Sequence, residues 1–426
     1  MRQLRLLKDF SENAVKFGRG QVINHEGEKK MNENDVVIVS VARTPMGSFQ
    51  GVFKGLTAAQ LGAFAINAAV DRANLSANSI EEVVMGCVLP AGQGQAPARQ
   101  ASLGAGLPLA AGCTTINKMC GSGMKAMMLT HDLIAAGSAN IVVAGGMESM
   151  TNAPYLLPRA RSGYRLGHQE AQDHMFLDGL EDAYDKGRLM GAYAEDCAEM
   201  YKFSREEQDA FAIASLERAK QSNENGSFDW EIVPVTVKRG KGEATVNRDE
   251  QPFIADLTKI PNLRPAFKQD GTVTAANSSS ISDGAAALVL MARKTATELG
   301  VKPLARVVGH STHAQEPGLF TTAPVGALEK IFVKTGWSVN DIDLFEINEA
   351  FAVVPMVAMK EHKLNHKKVN VHGGACALGH PIGASGARVL VTLIGALRKS
   401  GGRRGVASLC IGGGEATAVA LEMENL

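Results

Sequence analysis

The architecture of this chain follows from one segment, Cys120-Gly121-Ser122-Gly123-Met124-Lys125-Ala126-Met127-Met128, and from the residues that come after it. Apolar residues continue at helical spacing as far as positions 134 and 135, and Gly137 ends the helix. The run Ile141-Val142-Val143-Ala144 is then typical of a buried strand. The segment therefore predicts a helix followed by a strand, with a thiol where a flexible turn enters the helix.

The same order of helix and strand returns near the C-terminal end. A second apolar helix opens at Gly383-Ala384-Ser385-Gly386, and the run Val406-Ala407-Ser408-Leu409 leads as a strand into Cys410 and Gly412-Gly413-Gly414. Two halves of similar order predict a pseudo-twofold α/β protein. In such a protein the functional loops gather at one edge of each sheet.

Changes in composition divide the chain into five parts. The β-branched run Val36-Val37-Ile38-Val39 predicts the first strand of the globular part, and the charged, glycine-containing stretch after position 150 predicts an insertion between the halves. The predicted parts are an N-terminal extension (1–30), a first half (31–150), an inserted loop domain (151–275), a return to the first half (276–300) and a second half (301–426).

Composition limits the classes of function that fit this chain. Its 426 residues carry 44 Lys and Arg against 44 Asp and Glu, so no global field attracts nucleic acid. No apolar run approaches the length of a membrane span. The six scattered cysteines form no C-x-x-C pair, which favours a reducing compartment, and we expect the cytoplasm.

The first 30 residues are an exception to the globular pattern. Arg2 and Arg5 make them basic in places, but Asp9 and Glu12 interrupt any cationic amphipathic face, and the apolar centre of a signal peptide is missing. We therefore do not expect export. A mitochondrial presequence and a leader read from an upstream start, with the domain opening at Met31, are both compatible with this stretch.

Three segments carry groups suited to acyl transfer. Cys120 lies where a helix N-terminus offers unpaired N–H groups and a positive dipole end, so we expect a lowered pKa for its thiol. His380, between Gly379 and Pro381, offers an imidazole whose ordinary pKa suits proton transfer, although a turn residue bound to the backbone fits this position as well. Cys410 offers a second thiol, for which we expect a pKa near neutrality. This set predicts an enzyme that carries an acyl group on a cysteine.

Four motifs, in this order, resemble those of the thiolases. They are Cys120-Gly121-Ser122-Gly123; Asn348-Glu349-Ala350-Phe351-Ala352; Gly373-Gly374-Ala375 with Gly379-His380-Pro381-Ile382-Gly383-Ala384-Ser385-Gly386; and Cys410-Ile411-Gly412-Gly413-Gly414. The likeness extends from about Val36 to the C-terminus. It implies a duplicated α/β fold of two similar five-stranded halves covered by helices, with the insertion as a loop domain that holds coenzyme A. It also implies a homodimer or a homotetramer.

The resemblance implies catalytic roles for five residues. Cys120 would take the acetyl group as a thioester, and His380 would accept the thiol proton and then, with a water held by Asn348, donate toward the thioester oxygen. Cys410 would exchange the proton of the α-carbon. The backbone N–H groups of Gly412 and Cys120 would form the second oxyanion hole. No metal and no cofactor is implied, because coenzyme A thioesters are themselves the substrates.

The coenzyme A contacts that the resemblance implies are small or apolar. An apolar channel suits a pantetheine arm, and a serine hydroxyl can bind one of its amides. The matching positions are Leu180, Met190, Phe267, Ala275, Ser279, Ala350 and Phe351. Leu180, Met190 and Phe267 also fit the core of the loop domain. Short-chain thiolases usually carry His-Met-Gly where this chain has Leu189-Met190-Gly191, so the preferred acyl length stays open.

The implied reaction is the reversible Claisen condensation of two acetyl-CoA molecules to acetoacetyl-CoA and CoA, through an acyl-cysteine. The alternative within the family is thiolysis of longer 3-ketoacyl-CoA in fatty-acid β-oxidation. A decarboxylating ketoacyl synthase would place His or Asn at Cys410, so that class is disfavoured. A non-catalytic acyl-binding module is a third hypothesis.

Two further side-chain patterns have ordinary explanations beside the functional ones. His362 and His366 lie four residues apart and could share a helix face as metal ligands, but no third ligand is evident. Glu349, beside Asn348, fits either a residue that orients the site or a surface or salt-bridged acid.

Overall fold

The computed structural model describes residues 32–424, so the predicted extension 1–30 lies outside the described residues. The strands are β1 (Val36–Arg43), β2 (Gly47–Ser48), β3 (Glu82–Gly86), β4 (Gly112–Ile116), β5 (Ile141–Ser149), β6 (Tyr155–Leu156), β7 (Gln172–Asp173), β8 (Val235–Arg239), β9 (Gly242–Val246), β10 (Ser282–Ala292), β11 (Ala305–Ala314), β12 (Leu344–Ile347), β13 (Arg404–Ile411) and β14 (Glu415–Met423). The α-helices are α1 (Ala58–Arg72), α2 (Pro97–Gly104), α3 (Ser122–Ala135), α4 (Met190–Tyr201), α5 (Arg205–Glu224), α6 (Gln251–Ile254), α7 (Arg293–Glu298), α8 (Ala323–Thr335), α9 (Val353–His362), α10 (Ala375–Leu378) and α11 (Ser385–Ser400).

The two helix-and-strand units predicted from the sequence are confirmed. Helix α3 begins two residues after Cys120, and Gly137 takes a left-handed φ of +72° before β5 begins. Helix α11 and strand β13 repeat the arrangement in the second half. Residues 385–397 of α11 are all buried, so this helix lies inside the molecule rather than on its surface.

Both halves contribute to one sheet, with the strand order β12-β13-β14-β11-β1-β10-β5-β3-β4 and β2 paired with β10 at its side. In the first half β4, β3 and β5 run parallel, and β10 and β1 follow antiparallel. The second half repeats this with β12 and β13 parallel and β14 and β11 antiparallel. The duplication inferred from the sequence is therefore present in the strand order.

The halves differ from the expectation of five strands each. The first half has five long strands, whereas the described part of the second half has four. A single parallel bridge between Phe345 and Val369 stands where the fifth strand would pair. The halves meet where β1 pairs antiparallel with β11, through Val37 with Arg306 and Ile38 with Ala305.

The segment between β5 and β10 carries most of the irregular structure. It contains the two-stranded pairs β6–β7 and β8–β9 and the helices α4 and α5. A capping box at Ser204, whose hydroxyl accepts from the N–H of Glu207, starts α5. Within residues 32–424 no helix combines the length and the apolar character needed to cross a bilayer.

The starts of α3 and α11 touch, and glycine is required at the contact. A Cβ on Gly123 would lie 2.7 Å from the backbone N of Ala387, and a Cβ on Gly386 would lie 2.3 Å from the backbone N of Met124. Real Cβ atoms do not approach backbone that closely. The two glycine-rich turns therefore bring the segment of Cys120 against the segment that follows His380.

Candidate active site

Cys120 lies in a tight turn whose backbone is fixed on several sides. Met119, just before it, has a left-handed φ of +45°, which is rare for a residue with a side chain. The Ser122 hydroxyl donates to the Met119 carbonyl (2.6 Å) and holds the turn against α3. A Cβ on Gly121 would lie 2.4 Å from Cδ1 of Ile411, so this turn packs directly on the end of β13.

The second cysteine of the predicted site lies on β13, the strand against which the Cys120 turn packs. Cys410, near the end of β13, is fully buried, and the charge of the Cys120 sulfur acts on its pKa. The backbone N–H groups of Gly412 and of Cys120 itself act on the Cys120 thiol and favour a lower pKa. The Cys120 turn and the end of β13 therefore place both cysteines and the Gly412 N–H in one region of the structure.

The expected pKa values of the two thiols are wrong for the free protein. Burial raises the pKa of the Cys120 thiol to about 11, against the lowering effect of the two backbone N–H groups. Burial, together with the neighbouring Cys120 sulfur, raises the pKa of Cys410 well above its ordinary value. Loss of hydration penalises a thiolate more than two N–H donors favour it. Both sulfurs are thus protonated at neutral pH when the site is empty.

His380 makes the backbone hydrogen bond expected of a turn residue, and its side chain also has a polar atom that this role does not use. Its N–H donates to the carbonyl of Ser280 (3.0 Å). The Ser385 hydroxyl donates to the Pro381 carbonyl (3.0 Å), so its oxygen accepts from Nδ1 of His380 (2.6 Å) and leaves the lone pair on Nε2. Within the described part of the chain, Nε2 is buried without a hydrogen-bond partner. An unused acceptor at a buried position is suited to take a proton from a substrate or a thiol.

The pKa expected for His380 is also wrong. Burial, and to a smaller extent the charge of Arg388, lowers the pKa of the imidazole to about 3. The free protein therefore holds a neutral imidazole, and protonation of this ring requires a compensating negative charge nearby.

Asn348 follows β12 and also presents an unused polar atom. Its backbone N–H donates to the carbonyl of Ser408 (3.0 Å), and its Oδ1 accepts from Nη2 of Arg388 (3.4 Å). Its Nδ2 is buried and has no hydrogen-bond partner among residues 32–424. The side chain thus has two N–H donors available for a water or a ligand oxygen.

Glu349 is a buried structural acid. It is fully buried, which excludes a surface acid, and it accepts from Ser215 Oγ (2.7 Å), Asn370 Nδ2 (2.7 Å) and the backbone N–H of Cys376 (3.1 Å). These bonds join α5 and α10 to the Asn348 segment. Its position fits the orienting role.

Two buried charges near the site were missed by the sequence reasoning. Glu148 accepts from the backbone N–H groups of Val88 (2.9 Å), Leu89 (3.2 Å) and Gly383 (2.9 Å), and burial raises its pKa to about 7. Arg388 binds Glu346 (2.7 Å) as well as Asn348. An arginine within the apolar stretch of α11 was the available sequence signal, because a buried charge requires a partner.

The proposed coenzyme A contacts fall into two groups. Met190, Phe267 and Phe351 pack in the apolar cluster that contains Cys410, with the two phenylalanine rings edge to face at 6.0 Å. The Met190 sulfur would lie 3.7 Å from a Cβ on Gly412. Leu180 packs against a different cluster, which Cys120 also contacts. One group therefore shares a cluster with Cys410, and Leu180 packs on the cluster that Cys120 contacts.

Three smaller candidates lie on the connection between the insertion and β10 or next to Asn348. The N–H of Ser279 donates to the carbonyl of Ala350 (2.9 Å), and Ala350 itself is buried. Ala275 is exposed.

The two histidines considered as metal ligands, His362 and His366, have other partners. Nε2 of His362 contacts the Val325 carbonyl (3.1 Å), and His366 stacks on a phenylalanine ring.

Comparisons with known proteins agree with this architecture. Residues 36–294 match the family model described as thiolase, N-terminal domain, and residues 301–423 match that described as thiolase, C-terminal domain. The chain is 51% identical over 399 residues to acetyl-CoA acetyltransferase 1 of Arabidopsis thaliana, covering 93% of this chain and 96% of the relative. It is 48% identical to the acetyl-CoA acetyltransferase of Schizosaccharomyces pombe, covering 92% of this chain and all of that protein.

A solved structure is also similar. The Acat5 thiolase from Ascaris suum, in complex with coenzyme A, superposes with a TM-score of 0.86 at 42% identity and covers 92% of this chain and 100% of its own. At this identity the likeness extends beyond the fold to the sequence.

Proposed function

The chain belongs to the thiolase family, and from this premise we propose that it is an acetyl-CoA acetyltransferase, which joins two acetyl-CoA molecules reversibly into acetoacetyl-CoA and CoA. The observation that carries the proposal is the shared site of two cysteine sulfurs and two backbone N–H donors. The names of the relatives support the short-chain reaction over thiolysis of longer chains.

In the first half-reaction the Cys120 sulfur attacks the carbonyl carbon of acetyl-CoA. Its proton moves to Nε2 of His380, the bond from carbon to the CoA sulfur breaks, and the CoA thiolate leaves with the proton from His380. The thioester oxygen is negative during this step. Asn348, through a water, and the protonated imidazole are the donors that we assign to it.

In the second half-reaction a second acetyl-CoA binds beside acetyl-Cys120. Cys410, once ionised, takes a proton from the methyl carbon, and the resulting enolate attacks the carbonyl carbon of the acetyl-cysteine. The backbone N–H groups of Gly412 and Cys120 stabilise the oxyanion that forms. Cys120 then leaves as a thiolate and takes from His380 the proton that Cys410 passed to Nε2 of that ring on ionising, so that both thiols and the neutral imidazole are restored.

The resting protonation state has a chemical consequence. With a thiol at Cys120 and a neutral imidazole at His380, the free protein holds no charged nucleophile. The proton moves only when a bound thioester supplies an oxygen on which negative charge develops next to the imidazolium. We therefore infer that substrate binding, rather than the free protein, activates the nucleophile.

We also propose the organisation that the family resemblance implies. The first half would consist of residues 31–150 and 276–300, and the second half of residues 301–426. The loop domain that binds coenzyme A would consist of residues 151–275. Leu180, Met190 and Phe267 would line the pantetheine channel from that domain. The assembly would be a homodimer or homotetramer, which light scattering distinguishes. Free cysteines at all six positions support a cytoplasmic location.

Separate variants of the two cysteines test the division of roles. Cys120→Ala should abolish both half-reactions, whereas Cys410→Ala should release a burst of free CoA from acetyl-CoA without forming acetoacetyl-CoA. Cys113→Ala is the matched control, because this half-buried thiol lies on β4 and should leave both steps intact. Equal loss of the CoA burst in the two active-site variants would refute the assignment.

A chain-length profile tests the substrate. Thiolysis of 3-ketoacyl-CoA substrates of increasing length should be fastest with acetoacetyl-CoA. Strong activity with substrates longer than four carbons would instead favour a 3-ketoacyl-CoA thiolase of β-oxidation.

A further inference from the structure

Three metal-ligating side chains meet on the surface away from the active site. His131 and Asp132 lie near the end of α3, and His310 lies on β11. The Asp132 Oδ1 atom is 3.0 Å from Nδ1 of His131 and 3.0 Å from Nε2 of His310, and the two nitrogens are 3.3 Å apart. The imidazole rings stand nearly perpendicular, with centroids 5.0 Å apart.

Hydrogen bonds hold this arrangement only if both imidazoles donate to the same carboxylate oxygen. If both rings donate to the carboxylate oxygen, two N–H groups lie side by side at 3.3 Å. A cation relieves the conflict, because three atoms with these separations can all lie about 2.0–2.1 Å from one point, which is the length of Zn–N and Zn–O bonds. The ligand–metal–ligand angles would then be roughly 95° to 110°, near those of a tetrahedral site.

One further charge lies beside the cluster. The Nζ of Lys334 donates to the His310 carbonyl (3.1 Å), so this cation is held by the backbone of β11. Neutral imidazole and ionised carboxylate are the protonation states that bind metals.

We propose that His131, Asp132 and His310 bind one Zn²⁺ ion, with water completing a tetrahedral site. Two imidazole nitrogens and one carboxylate oxygen favour Zn²⁺ over Ca²⁺ or Mg²⁺, which take oxygen ligands. The ion would link α3 of the first half to β11 of the second. Its role is structural, because His131 lies nine residues, or about 14 Å, along α3 from the helix start beside Cys120.

Zinc titration of the purified full-length protein tests the site. After chelation and buffer exchange, the wild-type chain should bind one Zn²⁺ more per chain than His310→Gln or His131→Gln, measured by equilibrium dialysis with elemental analysis. Each variant should weaken binding at this site at least about tenfold. Added Zn²⁺ should raise the Tm of the wild type, but not of the two variants. Equal zinc uptake by the wild type and both variants would overturn the proposal.

The free cysteines are a competing zinc site, so a second measurement is needed. Co²⁺ at the proposed site should show visible d–d bands without the charge-transfer band of a sulfur ligand, and those bands should vanish in His131→Gln. His168→Gln, at an exposed histidine outside the cluster, should bind like the wild type. All three histidine variants should keep acetyltransferase activity, which shows that they fold. A cobalt spectrum dominated by sulfur charge transfer and unchanged in His131→Gln would reject the site.

Discussion

Gly386→Ala should separate the two helix starts on which the active site is built. A Cβ at this position would lie 2.3 Å from the backbone N of Met124, whereas ordinary contact begins at 3.4 Å, so α3 and α11 must move apart by about 1 Å. Overpacking of this kind costs about 1–3 kcal/mol, which exceeds the ~1 kcal/mol that alanine gains over glycine in a helix. Because α3 follows Cys120 and α11 follows His380, the shift acts directly on the reacting groups.

A displacement near 1 Å is expected to lower kcat about 100-fold, while the protein remains folded. The assay combines the rate of acetoacetyl-CoA thiolysis with denaturant unfolding of the same preparation. Gly55→Ala is the matched control, because a Cβ there meets no atom within 4 Å, and its unfolding free energy should change by less than about 0.5 kcal/mol. If Gly386→Ala retained wild-type kcat and unfolding free energy, the claim that glycine is required at this contact would be wrong.

The remaining predictions concern protons and buried charge. Alkylation of Cys120 by iodoacetamide, followed at its peptide by mass spectrometry, should accelerate about tenfold per pH unit between pH 7 and 9, because a pKa of about 11 leaves about one sulfur in ten thousand ionised at pH 7. A rate that levels off below pH 8 would contradict this. Arg43→Met should lower the unfolding free energy by about 3–5 kcal/mol in a urea titration, because two buried carboxylates lose their partner; a loss below 1 kcal/mol would argue against it. Ser385→Ala should lower kcat about tenfold or more with little change in KM, because the His380 ring loses the acceptor that orients it. An unchanged kcat would exclude that orienting role.

Local signals explain why parts of the fold could be predicted from the sequence. The helix after Cys120 and the strand from Ile141 follow from periodicity over a few residues and from glycine at Gly137. The repeated order of elements likewise predicted two related halves. Two features could not be predicted, because pairing between distant segments leaves no local pattern. They are the position of β10 between β1 and β5, and the single bridge that replaces a fifth strand in the second half.

The candidate active site could also be predicted from the sequence only in part. Glycine-flanked Cys120, His380 and Cys410 were identified from their neighbours in the chain, and the structure packs the Cys120 turn against the strand that carries Cys410. Their pKa values depend on how much water the folded protein excludes, which no short motif encodes. Glu148 was missed for the same reason, since its three backbone partners come from loops far apart in sequence.

The central position of β10 has a consequence for synthesis of the protein. Both β1 and β5 use β10 as their antiparallel neighbour, yet the ribosome must translate the entire insertion before Ser282 emerges. Until then the nascent chain holds two hydrophobic strands with unpaired backbone edges, which are templates for aggregation. We therefore expect a truncated polypeptide that ends before Ser282 to be retained by chaperones, and the full-length chain to be released.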